Sequence, residues 1–137
     1  MKKICIVASK YYGDIIKMLV DGVNDHMNKH KKEFKMNIIY VPGVFEIPYA
    51  ISKNLKKYDA FIALGCVIKG ETPHFEFISK STIYAIMKLS IESKKPIGNG
   101  ILTCLNKDQA VERADKSNKN KGKEAADAAI ELLMGDN

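Results

Sequence analysis

The chain has 137 residues, the length of one domain rather than two. An apolar share of 46% with 28% charged residues excludes a disordered or fibrous polymer, and no apolar run approaches the roughly 20 residues that span a bilayer. Lys plus Arg is 22 against 16 Asp plus Glu, a formal net charge of +6, and every cation in that total is lysine except Arg113.

Met1 to Ser9 starts basic but has too short an apolar core for a signal peptide, so Ile4 to Ala8 reads as a strand. After a turn with Ser9, Tyr12 and Gly13, Asp14 is placed to cap a helix. That helix carries Ile15, Ile16, Leu19, Val20, Val23 and Met27 at helical spacing. Met36 to Val41 is a second strand, ended by Pro42-Gly43. Ile47, Tyr49, Ala50, Ile51 and Leu55 suggest a short helix. Ala60 to Val67 is apolar throughout, as a strand covered on both faces requires. Ile97 to Thr103 is a fourth strand, followed by a helix from about Lys107 and a last one from about Gly122 to Met134. Strands alternating with helices predict an α/β domain over residues 1–137 with a parallel sheet and right-handed crossovers.

The helix from about His74 to Lys94 has two apolar stripes. Phe75, Ile78, Thr82, Ala85, Ile86 and Leu89 form one; Phe77, Tyr84, Met87 and Ile91 lie nearly opposite. A surface helix needs one such stripe. The second meets either another subunit or a further layer of the same protomer, and few helices remain to supply that layer.

The charge admits nucleic-acid binding, with Lys116, Lys119, Lys121 and Lys123 as its focus. Yet basic residues alternate with acids and do not interleave with aromatic residues, which fits a solvated lysine surface. Cys5, Cys66 and Cys104 are odd in number and lack metal-ligand spacing, so they read as buried small hydrophobes in a reducing cytosol. A catalytic thiol at Cys66 is the alternative. His26 and His30, on a charged stretch of helix, are expected in solvent.

In open parallel sheets, functional groups gather beyond the carboxyl ends of strands. In the third such loop, Ile68 to His74, Gly70 permits close backbone approach, Glu71 or Thr72 can cap the next helix and Pro73 suits its first position. Free N–H groups at a helix start bind anions without a basic side chain. His74 beside them is either a proton-transfer group or a surface histidine. Tyr11, beyond the first strand, either stacks on a heterocycle or only packs. Glu46 either accepts hydrogen bonds from a ligand or caps the next helix.

Five strings, taken in order, resemble lumazine synthase: 42–48 (PGVFEIP), 65–76 (GCVIKGETPHFE), 96–103 (PIGNGILT), 109–114 (QAVERA) and 120–126 (NKGKEAA). The family resemblance implies a flavodoxin-like three-layer sandwich with strand order 2-1-3-4 and helices on both faces. It implies a cytoplasmic transferase of riboflavin biosynthesis that condenses 5-amino-6-(D-ribitylamino)uracil with 3,4-dihydroxy-2-butanone 4-phosphate, with no cofactor and no metal. It also implies a homopentamer, or a shell of twelve pentamers, with riboflavin synthase as a possible partner and active sites between subunits.

Carried over by position, the resemblance places Tyr11 on the pyrimidine ring, Val44, Phe45 and Glu46 along the ribityl chain and ring edge, and Val67, Ile68 and Lys69 in the pyrimidine site. It gives the phosphate to the backbone of Gly70, Glu71 and Thr72, proton transfer to His74, and supply from the adjacent subunit to Arg113 and Lys121. Three departures stand out. Asn99 replaces a common Phe and makes one wall more polar. Residues 114–119 keep the loop length without its usual glycines. The chain also begins at the first core strand, which weakens the expectation of a full shell more than that of a pentamer. A noncatalytic flavodoxin-like binding protein for a phosphorylated or flavin-like ligand would use the same loops.

Overall fold

In the computed structural model, which describes residues 1–135, the apolar runs form four strands. They are β1 (Lys2–Ser9), β2 (Phe34–Val41), β3 (Ala60–Ile68) and β4 (Ile97–Cys104). All pair in parallel in the order β2-β1-β3-β4, with Ile6 opposite both Ile38 and Ile62, and Ile62 opposite Gly98. This is the flavodoxin-like order expected. The helices are α1 (Gly13–Met27), α2 (Ile47–Lys53), α3 (Phe75–Ser93), α4 (Lys107–Ala114) and α5 (Lys121–Met134).

Side chains alternate across a strand, so β3 feeds two cores at once, and all nine of its residues are buried. Ile62, Leu64, Cys66 and Ile68 join Ile4, Ile6 and Leu102 against α1, α4 and α5. Phe61, Ala63 and Val67 join Val7 and Ile101 against α2 and α3. Gly98 lets α5 lie directly on β4, because a Cβ there would sit 2.1 Å from the Ala125 carbonyl oxygen. Among the described residues, no helix is long and apolar enough to cross a membrane.

Three expectations change. Neither predicted cap holds. Tyr12, in the left-handed region at φ 58°, precedes α1 without a side-chain cap, and Asp14 instead pairs with Lys107 at 3.2 Å. His74, also left-handed at φ 58°, precedes α3 without a side-chain cap, so neither Glu71 nor Thr72 caps that helix and Pro73 lies outside it. His26 is not solvated: its side chain is 10% exposed, because α5 crosses α1 there and brings Asp127 to 3.3 Å. His30, in the short turn after α1, is partly exposed and contacts Glu33 at 3.2 Å.

The two stripes of α3 separate as the pattern predicts. Thr82 and Ile86 are buried, and Ile78 and Leu89 pack beside them. Phe77, Tyr84, Met87 and Ile91 remain exposed, which removes the alternative of a further layer within the protomer.

Candidate active site

Parallel pairing brings the carboxyl ends of all four strands to one edge. Pairing runs one residue further on each side: Lys10 N–H donates to Val41 O at 2.8 Å and Lys69 N–H to Cys104 O at 2.9 Å. The loops therefore leave the sheet from a rigid base.

A cleft of about 280 Å³ opens between the first three loops. Six predicted residues line it: Tyr11, Val44, Phe45, Val67, Glu71 and Thr72. Tyr11 and Phe45 are each 63% exposed, while Val44 and Val67 are buried. Val44 seats on the sheet where Gly65 has no side chain; a Cβ there would lie 2.5 Å from Val44 Cγ1. Glu46 Oε1 accepts from Gly43 N–H at 2.9 Å, so its carboxylate closes the turn and keeps one oxygen for a ligand. Ile68 points the other way. It is 1% exposed within the α1-side core, so only its main chain faces the loops. Lys69 and Gly70 lie beside the cleft without lining it; Gly70 is exposed and Lys69 carries the strand pairing onward.

The loop from Lys69 to His74 turns tightly. Gly70 takes φ 87°, a region that favours glycine. Glu71 and Thr72 N–H both donate to Ile68 O, at 3.3 and 3.0 Å. These two donors, expected to be free for an anion, are thus engaged. The unbonded donors lie in the first turn of α3, ahead of the first helical bond from Ile78 N–H to His74 O at 3.0 Å. The His74 ring is exposed, with its centroid 6.3 Å from that of Phe77.

Asn99, Arg113 and Lys121 line a separate, polar cleft of about 360 Å³ beside β4. Arg113 Nη1 lies 3.4 Å from Cys104 Sγ, and Lys121 Nζ 3.0 Å from Glu124 Oε2. Asn99 Oδ1 accepts from Ile101 N–H at 3.0 Å, and no protein hydrogen bond engages its amide nitrogen among the described residues. The two clefts share no lining residue.

The thiol alternative at Cys66 fails. Burial, followed by the charges at Cys104, Glu71 and Asp14, pushes its pKa up to about 12, and a thiol protonated at neutral pH is no nucleophile. Among the described residues, no group of three or more His, Cys, Asp or Glu side chains is placed to hold a metal ion.

Sequence reasoning missed Tyr12. Its hydroxyl donates to Glu71 Oε1 at 2.8 Å across 59 residues of sequence, and its ring meets Tyr11 edge-on at 4.7 Å. The doubled tyrosine after a strand was the only local signal. It also passed over Ile78 as a wall of the cleft, having assigned it to the core stripe.

The family profile for 6,7-dimethyl-8-ribityllumazine synthase matches residues 1–135. Curated relatives of that name include one from Bartonella tribocorum, 41% identical over 98% of this chain and 93% of its own length. Another, from Sphingopyxis alaskensis, is 42% identical over 97% and 94%. A third, from Campylobacter jejuni, is 40% identical over 96% and 87%.

Proposed function

The chain belongs to the 6,7-dimethyl-8-ribityllumazine synthase family of enzymes, and we propose that it carries out that family's condensation in riboflavin biosynthesis, as the penultimate step. Its substrates are 5-amino-6-(D-ribitylamino)uracil and 3,4-dihydroxy-2-butanone 4-phosphate. The products are the lumazine, phosphate and water.

The observation that carries this reading is the division of the site. An aromatic-walled cleft with a helix start at its rim accepts a flat heterocycle and an anion, while the polar cleft with Arg113 and Lys121 opens elsewhere on the same chain. A second copy that sets its polar cleft against the aromatic one completes the constellation. The exposed stripe of α3 supports that association, because four large apolar side chains in a row favour burial against another copy. The assembly proposed is a homopentamer, as such or within a shell of twelve, in the cytoplasm, with riboflavin synthase as a further partner.

The chemistry needs orientation, proton transfer and an anion cradle, and no cofactor or metal. Tyr11 and Phe45 clasp the pyrimidine, with Val44, Val67 and the main chain of Ile68 and Lys69 along its edge. The free oxygen of Glu46 accepts from the ribityl chain. The unbonded N–H groups in the first turn of α3, positioned by the Gly70–Thr72 turn before it, hold the phosphate, joined by Arg113 of the neighbouring copy, whose fork suits two phosphate oxygens. Lys121 adds charge to the same wall, and the Asn99 amide donates where a hydrophobic ring would not.

The pyrimidine amine attacks the ketone carbon, and the carbinolamine loses water to give an imine. Removal of a proton alpha to the imine then expels phosphate. Attack of the second amine closes the ring with loss of another water. His74, exposed at the rim beside the phosphate, takes and returns the protons.

The two purified substrates mixed with the protein test the reading, with lumazine absorbance and phosphate release as readouts. Product above the uncatalysed background is expected. Its absence defeats the activity and leaves a binding protein.

A further inference from the structure

We propose that Tyr12 is a positioning residue for the phosphate-bearing substrate: it tethers the Glu71 carboxylate to the start of α1, so that a phosphate at the start of α3 meets the unbonded N–H groups of that first turn and not a negative side chain. The inference rests on the proposed reading of that helix start as the phosphate cradle.

Glu71 is the one charged residue among those lining the aromatic cleft. A carboxylate on the loop that leads into a phosphate-holding helix start repels the phosphate unless it is held aside. The hydroxyl of Tyr12 holds it, at 2.8 Å from Oε1. Among the described residues, no other side-chain hydrogen bond reaches residues 69–74, so this one bond sets the loop's side-chain anchorage. The rest of the loop is tied by its own main chain and by Lys69 N–H to Cys104 O.

The tether is itself anchored. Tyr12 sits at φ 58°, a backbone region that aromatic residues seldom occupy, and its carbonyl accepts from Ile15 and Ile16 N–H, both at 3.0 Å. An observed backbone outlier beside a site is a reason to look for a role. Burial, together with the neighbouring Glu71 charge, pushes the phenol up to about 12, so it remains a donor across the working pH range. The tether is not a proton-transfer group for the same reason.

The test uses the whole chain with Tyr12→Phe, which keeps the ring and its edge contact with Tyr11 and removes the donor. Binding of inorganic phosphate is measured by calorimetry, and KM for each substrate by turnover. The phosphate Kd and the KM of the butanone phosphate should rise about three- to tenfold, the loss of an exposed hydrogen bond to a charged group, with the pyrimidine KM unchanged. Glu71→Gln alone should bind phosphate at least as tightly as the parent. Tyr12→Phe combined with Glu71→Gln should recover affinity relative to Tyr12→Phe, because the freed side chain no longer carries charge.

A merely structural tie predicts the reverse, with the double variant no better than the single one. An unchanged phosphate Kd in Tyr12→Phe, equal rises in both KM values, or no recovery in the double variant overturns the proposal. So does a parent protein with no phosphate affinity. Phosphate binding is read without turnover, so a parent that binds phosphate but forms no lumazine defeats the activity alone, and the Kd comparison still decides the tether.

Discussion

The exposed stripe of α3 yields the sharpest prediction, because one perturbation tests both assembly and the divided site. Tyr84 and Ile91 are 70% and 68% exposed and belong to neither core cluster, so their truncation should leave the fold intact. Burying a large apolar side chain contributes about 1.5–3 kcal/mol, so roughly two-thirds of that area covered by another copy contributes about 1–2 kcal/mol per residue. Truncating both to Ala should therefore weaken association by about 2–4 kcal/mol per subunit, roughly thirty- to a thousandfold. Sedimentation at micromolar and submicromolar protein should show the parent assembled and the double variant shifted towards monomer.

Activity per subunit should fall with dissociation and return as protein concentration rises, because Arg113 and Lys121 then meet the aromatic cleft again. A monomeric variant with full activity per subunit refutes the divided site. A parent already monomeric at micromolar concentration refutes the assembly.

Three further outcomes are expected. His74→Asn, which tolerates the left-handed backbone, should slow turnover while the melting midpoint moves little, since the ring is exposed; parental turnover removes His74 from proton transfer. Arg113→Lys loses the planar fork and should weaken affinity for the phosphate-bearing substrate about ten- to a hundredfold, so an unchanged KM returns Arg113 to the surface lysines. At acid pH the relevant group is His26. Burial chiefly holds its pKa below the usual 6.5, helped by His30, Lys123 and Lys29 and opposed by Asp127. The unfolded chain therefore takes up a proton that folded His26 resists. Stability should be full above about pH 6.5 and decline as pH falls from there towards the lower folded pKa. His26→Asn should flatten that part of the melting curve against pH, and an unaltered slope assigns the acid loss to other groups.

Strand and helix identity was legible because it depends on spacing along the chain. An unbroken apolar run at residues 60–67 announces a strand buried on both faces, and two stripes on one helix announce two surfaces to cover. The five strings identified the family, since the residues expected to touch substrates lie close together within each loop.

Features set by contact across the fold were not legible. The helix starts moved because Tyr12 and His74 take left-handed conformations, which no capping pattern foretells. His26 looked polar in its own helix and is buried by α5, from about a hundred residues downstream.

By itself, then, the sequence determined the fold class, the strand order implied by the family and most of the loop residues at the sheet's carboxyl edge. Only the tertiary structure decided that Ile68 turns away from the cleft, that the Glu71 and Thr72 donors are already engaged, that Arg113 and Lys121 open on a separate cleft, and that Tyr12 grips Glu71. The physical reason is range. Periodicity and turn chemistry act over a few residues, whereas burial, donor occupancy and charge pairing depend on which distant segments the sheet brings together.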